Sequence, residues 1–336
     1  MLGFVPGLGG VPKGRSCSVL RVEAAPASRK GLDLKGVAWK GLIGIVRAKI
    51  IRDAEQKHRI PWTKSVQWVR DQKAVLEKEE EALTNPDVDY PEYFLRKFHS
   101  YEDGNLDVMA VEELDPATSA LACRLYEPEI VSGDWEYQEA ATELRNQFLE
   151  QIGSYQSLYG GNVEPRRILD IGGSAIHSTE PIADYFPTAK VTVVDLSPKY
   201  LALGVVRGRQ KGLLDRIDFL HANAEYLDQF IPNGSVDLVC ASFLLHELPT
   251  TATTEVLKQV LQALKPGAGL AITDNDPVHD AKIPKLVLGM HYLTEPWKGQ
   301  YSKLDVQALL EELGFVDVVI NQINRKHRAI LARKPD

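Results

Sequence analysis

Ile168-Leu169-Asp170-Ile171-Gly172-Gly173-Ser174, followed by Val191-Thr192-Val193-Val194-Asp195, decides the fold. Each stretch is a short run of aliphatic and β-branched residues that closes on a carboxylate, the pattern of a buried strand. The interval between them holds one helix, Ser178 to Phe186, closed by Pro187. The unit is therefore strand, glycine turn, helix, strand, with an acid at the carboxyl end of each strand. In open α/β sheets, ligands bind outside those carboxyl ends. Two acids and a glycine turn suit a ligand with a cationic or amino-bearing tail and a ribose diol. S-adenosylmethionine is such a ligand.

A dinucleotide fold is the main competitor, and its G-x-G-x-x-G fingerprint fails here. Counting from Gly172, the later glycine positions carry Ser174 and His177. Asp170 would also repel a pyrophosphate. Downstream, strands and helices keep alternating. Ile217–Leu220, Val236–Ala241 and Leu270–Asp274 read as strands, with helices over Thr251–Leu264 and Leu304–Leu313. Val316–Ile323 and Ala329–Ala332 are separated only by Asn324 to Arg328. Parallel neighbours need a crossover of about a dozen residues, so these two pair as an antiparallel hairpin. Five parallel strands with a terminal hairpin predict an α/β class I methyltransferase sheet, Rossmann-like, mostly parallel and seven-stranded.

The rest of the chain sets the context. Its 336 residues are too long for one ordinary domain and too short for three. Apolar residues at 44% and charged residues at 25% describe a globular chain, and a net charge of −7 gives no reason to expect nucleic acid. No apolar run approaches the ~18 residues of a membrane span. Cys17, Cys123 and Cys240 have no metal-ligand spacing. Up to Val22 there is no acid, while Lys13, Arg15 and Arg21 are basic. Such a leader predicts a transit peptide over residues 1–31, plastid rather than mitochondrial because its Gly and Pro make a poor amphipathic helix. Residues 32–160 form a helical N-terminal region, and residues 161–336 the α/β domain.

Within the N-terminal region, apolar spacing predicts helices from Gly36 to about Thr84, broken at Pro61, and again over Pro116–Ile130 and Trp135–Tyr155. Trp39 to Arg52 is basic and apolar enough for peripheral membrane contact. The stretch Tyr90 to Leu106 is rich in aromatics, has no period, and reads as a loop or lid.

Taken together, Asp170–Thr179, Val191–Pro198, Phe219–Glu225, Ser235–Pro249 and Leu264–Pro277 resemble the successive motifs of class I S-adenosylmethionine-dependent methyltransferases. The resemblance is to the type 11 group with the ubiquinone and menaquinone C-methyltransferases, and it spans Arg167 to Lys334. The segment Tyr90–Leu106 with Thr294–Trp297 is similar to plastid and cyanobacterial members. The resemblance implies that Asp170, Gly172, Gly173 and Ser174 border the methionine part of the cofactor. It implies that Asp195 accepts the ribose hydroxyls, that Leu196 covers the adenine, and that Asn223 and Ala224 lie near the adenine amino group. Ser242 and Phe243 would lie beside the sulfonium. Two positions depart from the pattern. Ile176 stands where the family has glycine and is expected to crowd the methionine tail. Asn223 stands where an acid is common.

Methyl transfer from a sulfonium needs a base only if the acceptor must lose a proton. His246, with Glu247 to orient it, and His99 are the candidates, and Tyr101 is a candidate cofactor contact. His246-Glu247 lacks the second histidine of a zinc signature, so no metal is expected. The expected activity is methyl transfer to a small, apolar or aromatic, quinone-like acceptor. The alternative, motivated by Ile176, is a methyltransferase-like binding or assembly protein without catalysis.

Overall fold

A computed structural model describes residues 34–160, 164–282 and 294–336. The expected leader, and Gly161-Asn162 at the start of the expected α/β domain, lie outside them. The backbone divides into Met1–Gly44 and Ile45–Asp336, and the sheet and the site described below belong to the second unit. No helix among the described residues is long and apolar enough to cross a membrane.

Seven strands form one sheet: β1 (Arg167–Ile171), β2 (Lys190–Asp195), β3 (Ile217–His221), β4 (Val236–Ser242), β5 (Leu264–Asn275), β6 (Val316–Gln322) and β7 (His327–Arg333). Their order is β3-β2-β1-β4-β5-β7-β6. The first five run parallel, while β7 is antiparallel to both β5 and β6. This is the sheet expected from the sequence. Helices α7 (Thr179–Tyr185), α8 (Pro198–Gln210) and α9 (Thr250–Ala263) cross between the parallel strands. Strand order reverses between β1 and β4, and the carboxyl edge there is where open α/β sheets bind their ligands.

The strands are buried on both faces, as a parallel sheet covered by helices must be. One face carries Ile168, Val191, Val193, Leu238, Cys240, Ala271, Ala329 and Leu331, packed with Phe148 and Ile152. The other carries Leu169, Val194, Val239, Leu270, Ile272 and Ile330, packed with Val256, Leu257 and Val260 of α9. By the two-residue period, Asp170, Asp195, Ser242, Thr273 and His327 belong to the first face, and Asp274 and Arg328 to the second.

Before the sheet come helices α1 (Leu34–Gln56), α2 (Trp62–Asp71), α3 (Lys73–Leu83), α4 (Val108–Leu125), α5 (Glu127–Ser132) and α6 (Tyr137–Tyr159). Two differ from expectation. The helix after Pro61 breaks at Gln72 into α2 and α3. The helix expected from Pro116 instead begins at Val108, and Pro116 sits inside it. Asp107 starts α4 by accepting the Met109 N–H at 2.9 Å. Proline costs one backbone hydrogen bond in mid-helix, but burial of Ala110, Val111, Pro116 and Ala120 along α4 holds the helix together.

Ile176 also corrects an expectation. It adopts φ +64° and is fully buried. Its Cγ2 lies 3.3 Å from where a Cβ on Gly204 would sit, and its Cδ1 3.7 Å from the same point on Gly208. The two glycines of α8 thus open a slot that the isoleucine fills, so the side chain packs the core and does not crowd the glycine turn. Ile176→Gly removes a buried side chain worth about 3 kcal/mol and relieves backbone strain of about 1 kcal/mol. The variant should lose about 2 kcal/mol, seen in urea unfolding as a lower midpoint at unchanged slope.

Candidate functional site

The carboxyl edge is built first from backbone. Gly172 has φ +68° and its N–H donates to the Val194 carbonyl at 2.7 Å. A Cβ on Gly173 would come within 2.8 Å of Val193 Cγ1 and 2.9 Å of Asp170 Oδ2, so only glycine fits. Among the described residues, seven non-glycines have positive φ, and His99, Ser174 and Phe243 are among them. Such strain gathers where a site over-determines the backbone.

Two carboxylates stand on the same sheet face beside this turn. Asp170 is fully buried, and its Oδ2 accepts from Ser178 Oγ at 3.0 Å and Thr179 Oγ1 at 2.6 Å. Its Oδ1 has no partner among the described residues. Burial pushes its pKa up to about 6, the two hydroxyls only partly offsetting this. Asp195 Oδ1 accepts the Ser197 N–H at 2.8 Å and Oδ2 the Ser174 N–H at 3.0 Å. Burial pushes it to about 7, against those two N–H groups and with help from the Glu247 and Asp170 charges. One sealed carboxylate and one half-buried carboxylate are primed for a ligand that carries positive charge and hydroxyl donors.

The remaining expected residues surround them. The Leu196 carbonyl faces His221 Nε2 at 3.1 Å. Asn223 caps the turn Ala224–Gln229, its Oδ1 accepting the Glu225 N–H at 2.9 Å, which occupies the amide oxygen. Ser242 ends β4, and the Phe243 N–H donates to the Thr273 carbonyl at 2.8 Å. The Leu244 side chain leans over Gly172.

His246 is buried, and its Nδ1 lies 2.7 Å from Asp274 Oδ1. Burial alone would lower its pKa, but the Asp274 carboxylate outweighs it and raises it to about 9, while Asp274 itself is held below its usual range. The Asp274 carboxylate fixes the imidazole and favours its protonated form, so positioning is the role this geometry supports for His246. The raised value stabilises the fold below pH 6.5, and that contribution is lost as pH rises through 9. The melting temperature should therefore fall by about 5 °C between pH 7 and 10. His246→Gln should flatten that alkaline limb in a scanning-calorimetry pH series.

The aromatic segment between α3 and α4 crosses the same edge. Asn85 N–H donates to His221 Nδ1 at 2.9 Å, so Nε2 carries the ring proton, and the Tyr90 hydroxyl lies 3.0 Å from it. Tyr93 donates to Glu225 at 2.8 Å. Asn105 bridges two strand ends: its carbonyl accepts from Ser197 Oγ at 2.8 Å, and its Nδ2 donates to Glu247 at 3.1 Å. His99 lies between carboxylates, 3.4 Å from Glu247 and 4.0 Å from Glu295. Tyr101 instead spends its hydroxyl on Glu113 of α4, at 2.9 Å.

Residues 168–267 match the family model described as a methyltransferase domain. This stretch of the chain is thus similar to a methyltransferase domain. The chain is similar to a grayanic acid biosynthesis O-methyltransferase of Cladonia grayi, 28% identical over 42% of this chain and 33% of the relative. It is likewise similar to 3-hydroxy-5-methyl-1-naphthoate 3-O-methyltransferase of Streptomyces sahachiroi, 28% identical over 46% of this chain and 44% of that one. A ubiquinone/menaquinone biosynthesis C-methyltransferase of Sinorhizobium fredii is 30% identical over 45% of this chain and 65% of the relative. The chain thus spans between a third and two thirds of these relatives.

The matched stretch contains Asp170, the glycine turn, Asp195, Asn223, and the run from Ser242 to Glu247. The aromatic segment, Asp274, Glu295 and His327 lie outside the match. Sequence reading missed His221, Ser197 and Asn105 as the pins of that segment. The one available signal was Ser197-Pro198, a helix start directly after the second acid.

Proposed function

We propose that this protein transfers a methyl group from S-adenosylmethionine to a small aromatic, quinone-like acceptor. The observation that carries the reading is the placement of Asp170 and Asp195 on one sheet face, flanking a glycine turn, at the switch point of a methyltransferase domain. The residues fit the cofactor. Asp170 Oδ1 is a buried carboxylate oxygen without a partner, suited to an ammonium, and the turn at Gly173 admits no side chain. Asp195 offers two oxygens to a ribose diol. Ser242 and Phe243 stand at the end of β4, between those acids and β5.

When bound, the cofactor supplies an electrophilic methyl group for in-line displacement. The chain's own work is positioning. Asp170 and Asp195 hold the two ends, and the His246–Asp274 pair fixes the backbone after β4. Asn105 and His99 close over the edge, and His99, flanked by Glu247 and Glu295, is placed to take an acceptor proton. The names of the naphthoate and quinone relatives support an aromatic acceptor. Because Ile176 fills a core slot and leaves the turn free, the non-catalytic reading loses its motive. The acid-free leader supports plastid import, and the basic apolar stretch Trp39–Arg52 supports contact with a membrane surface.

The test is transfer of tritiated methyl from S-adenosylmethionine to a panel of naphthols, naphthoquinols and benzoquinols. The reading expects label in an organic-extractable product. Cofactor binding without labelled product from any of them would overturn the acceptor class while leaving the cofactor assignment intact.

A further inference from the structure

Buried polar atoms in a folded protein nearly always have partners, and those that lack one call for an explanation. Two of the atoms without a partner among the described residues belong to diagonally neighbouring positions at the carboxyl edge, beyond the cofactor residues. Thr273 is 4% exposed and its Oγ1 has no partner. His327 is 2% exposed and its Nδ1 has none either. The register brings them together. Thr273 pairs with Ala329 and Asn275 with His327, so Thr273 and His327 are diagonal neighbours across β5 and β7. They share the sheet face that carries Asp170 and Ser242, and Ser242 pairs with Thr273 across β4 and β5. Going outward from the cofactor residues, the face therefore reads Asp170, Ser242, Thr273, His327.

The surroundings say what such a place holds. The Phe243 ring stands edge-on to His327, with centroids 5.0 Å apart. Burial keeps the His327 imidazole neutral, with its pKa lowered to about 3. The charges that bear most on it are those of the Asp274–His246 pair on the opposite face, Lys326 and His279. A neutral ring nitrogen and a hydroxyl, one apolar ring beside them, suit an uncharged oxygen on a flat aromatic body. They suit neither a carboxylate nor an ammonium group.

We propose that Thr273 and His327 form the subsite that binds a hydroxyl or carbonyl oxygen of the methyl acceptor, with the acceptor's ring against Phe243. This deepens the methyltransferase reading and rests on it. An acceptor oxygen would satisfy two buried atoms without a partner among the described residues, which is how a site rejects analogues lacking that oxygen. It also explains why polar residues persist at two positions where the strand pattern calls for apolar ones.

The experiment compares Thr273→Val and His327→Leu with the conservative Thr273→Ser and His327→Asn, in the full chain. Three quantities are read: S-adenosylhomocysteine affinity, melting temperature, and transfer to the naphthol that the native chain methylates best. For the Val and Leu variants the proposal expects transfer efficiency, kcat/KM for the naphthol, to fall by about 30-fold. It expects homocysteine-nucleoside affinity within twofold of native and a melting temperature equal or higher, since an unsatisfied polar group has been removed. Serine and asparagine should restore most of the efficiency. Unchanged efficiency in the Val and Leu variants overturns the proposal. So does a joint loss of stability and cofactor affinity, which would mark the two groups as internal. Efficient transfer to a ring analogue without an oxygen would do the same. A native chain that binds no cofactor at all would instead fail the underlying methyltransferase reading.

Discussion

Asp195→Ala should lower the affinity for S-adenosylmethionine by at least about 100-fold. The carboxylate holds the Ser174 and Ser197 N–H groups at 3.0 and 2.8 Å, which fixes the two loops after β1 and β2. Its remaining lone pairs are the acceptors for a ribose diol. Losing two charge-assisted hydrogen bonds costs about 3 kcal/mol, and the slackened loops add to it. Asp195→Asn keeps one acceptor oxygen and should lose about 10-fold. The carboxyl is also raised to about 7 in the free protein, by burial and by the Glu247 and Asp170 charges. Binding requires the ionised form, so the ligand must displace a proton below that value. Affinity should therefore rise as pH climbs from 5.5 to 7 and level off above, by more than tenfold per unit at the acid end, where Asp170, raised to about 6, must ionise as well. Calorimetric titration across that range reads both effects. A pH-independent dissociation constant, or an alanine variant within threefold of native, would remove Asp195 from the site.

Asp274→Ala should cost about 4 kcal/mol of stability, more than any other single change considered. Asp274 is fully buried and serves three donors: His246 Nδ1 at 2.7 Å, the Asn275 N–H at 2.7 Å and the His246 N–H at 3.3 Å. Its removal leaves a buried imidazole without its anion and two backbone donors unpaired. Tyr301 packs edge-on to His246 at 6.4 Å, and its hydroxyl donates to the Asn275 carbonyl at 2.8 Å, so the loosened strand end reaches the next layer. A lowered urea midpoint at unchanged slope is the expected readout. The double variant Asp274→Leu with His246→Leu should recover more than half of the loss, because two apolar groups replace the pair without leaving a charge behind. Failure of that recovery would mean that the backbone bonds, and not the ion pair, dominate.

The sheet was legible because its signals are local. Val191–Asp195 and Val236–Ala241 are apolar runs of strand length, and Asn324–Arg328 is too short for anything but a hairpin. The acids were legible because each ends such a run. What failed depends on contacts distant in sequence. Ile176 was read against a glycine pattern, while its slot is cut by Gly204 and Gly208, a helix away. Pro116 was read as a helix start, yet burial of α4 against neighbouring helices holds it in mid-helix. His246 reads as a base from its place after β4, while the Asp274 carboxylate that holds its ring comes from another strand. His327 was passed over as part of a turn. Only register places it opposite Asn275, on the carboxyl edge. The aromatic segment announced itself by composition, but its pins, Asn105 on Ser197 and Glu247 and Asn85 on His221, join residues with no pattern between them.

The central claim is that two acids on one sheet face hold S-adenosylmethionine at the switch point. Titration of the full chain with S-adenosylmethionine or S-adenosylhomocysteine, by calorimetry at pH 7.5, tests it most directly. The account predicts one site per chain and a dissociation constant of about 1 to 100 μM, with a matching rise in melting temperature. No heat and no thermal shift at about 1 mM ligand would contradict it.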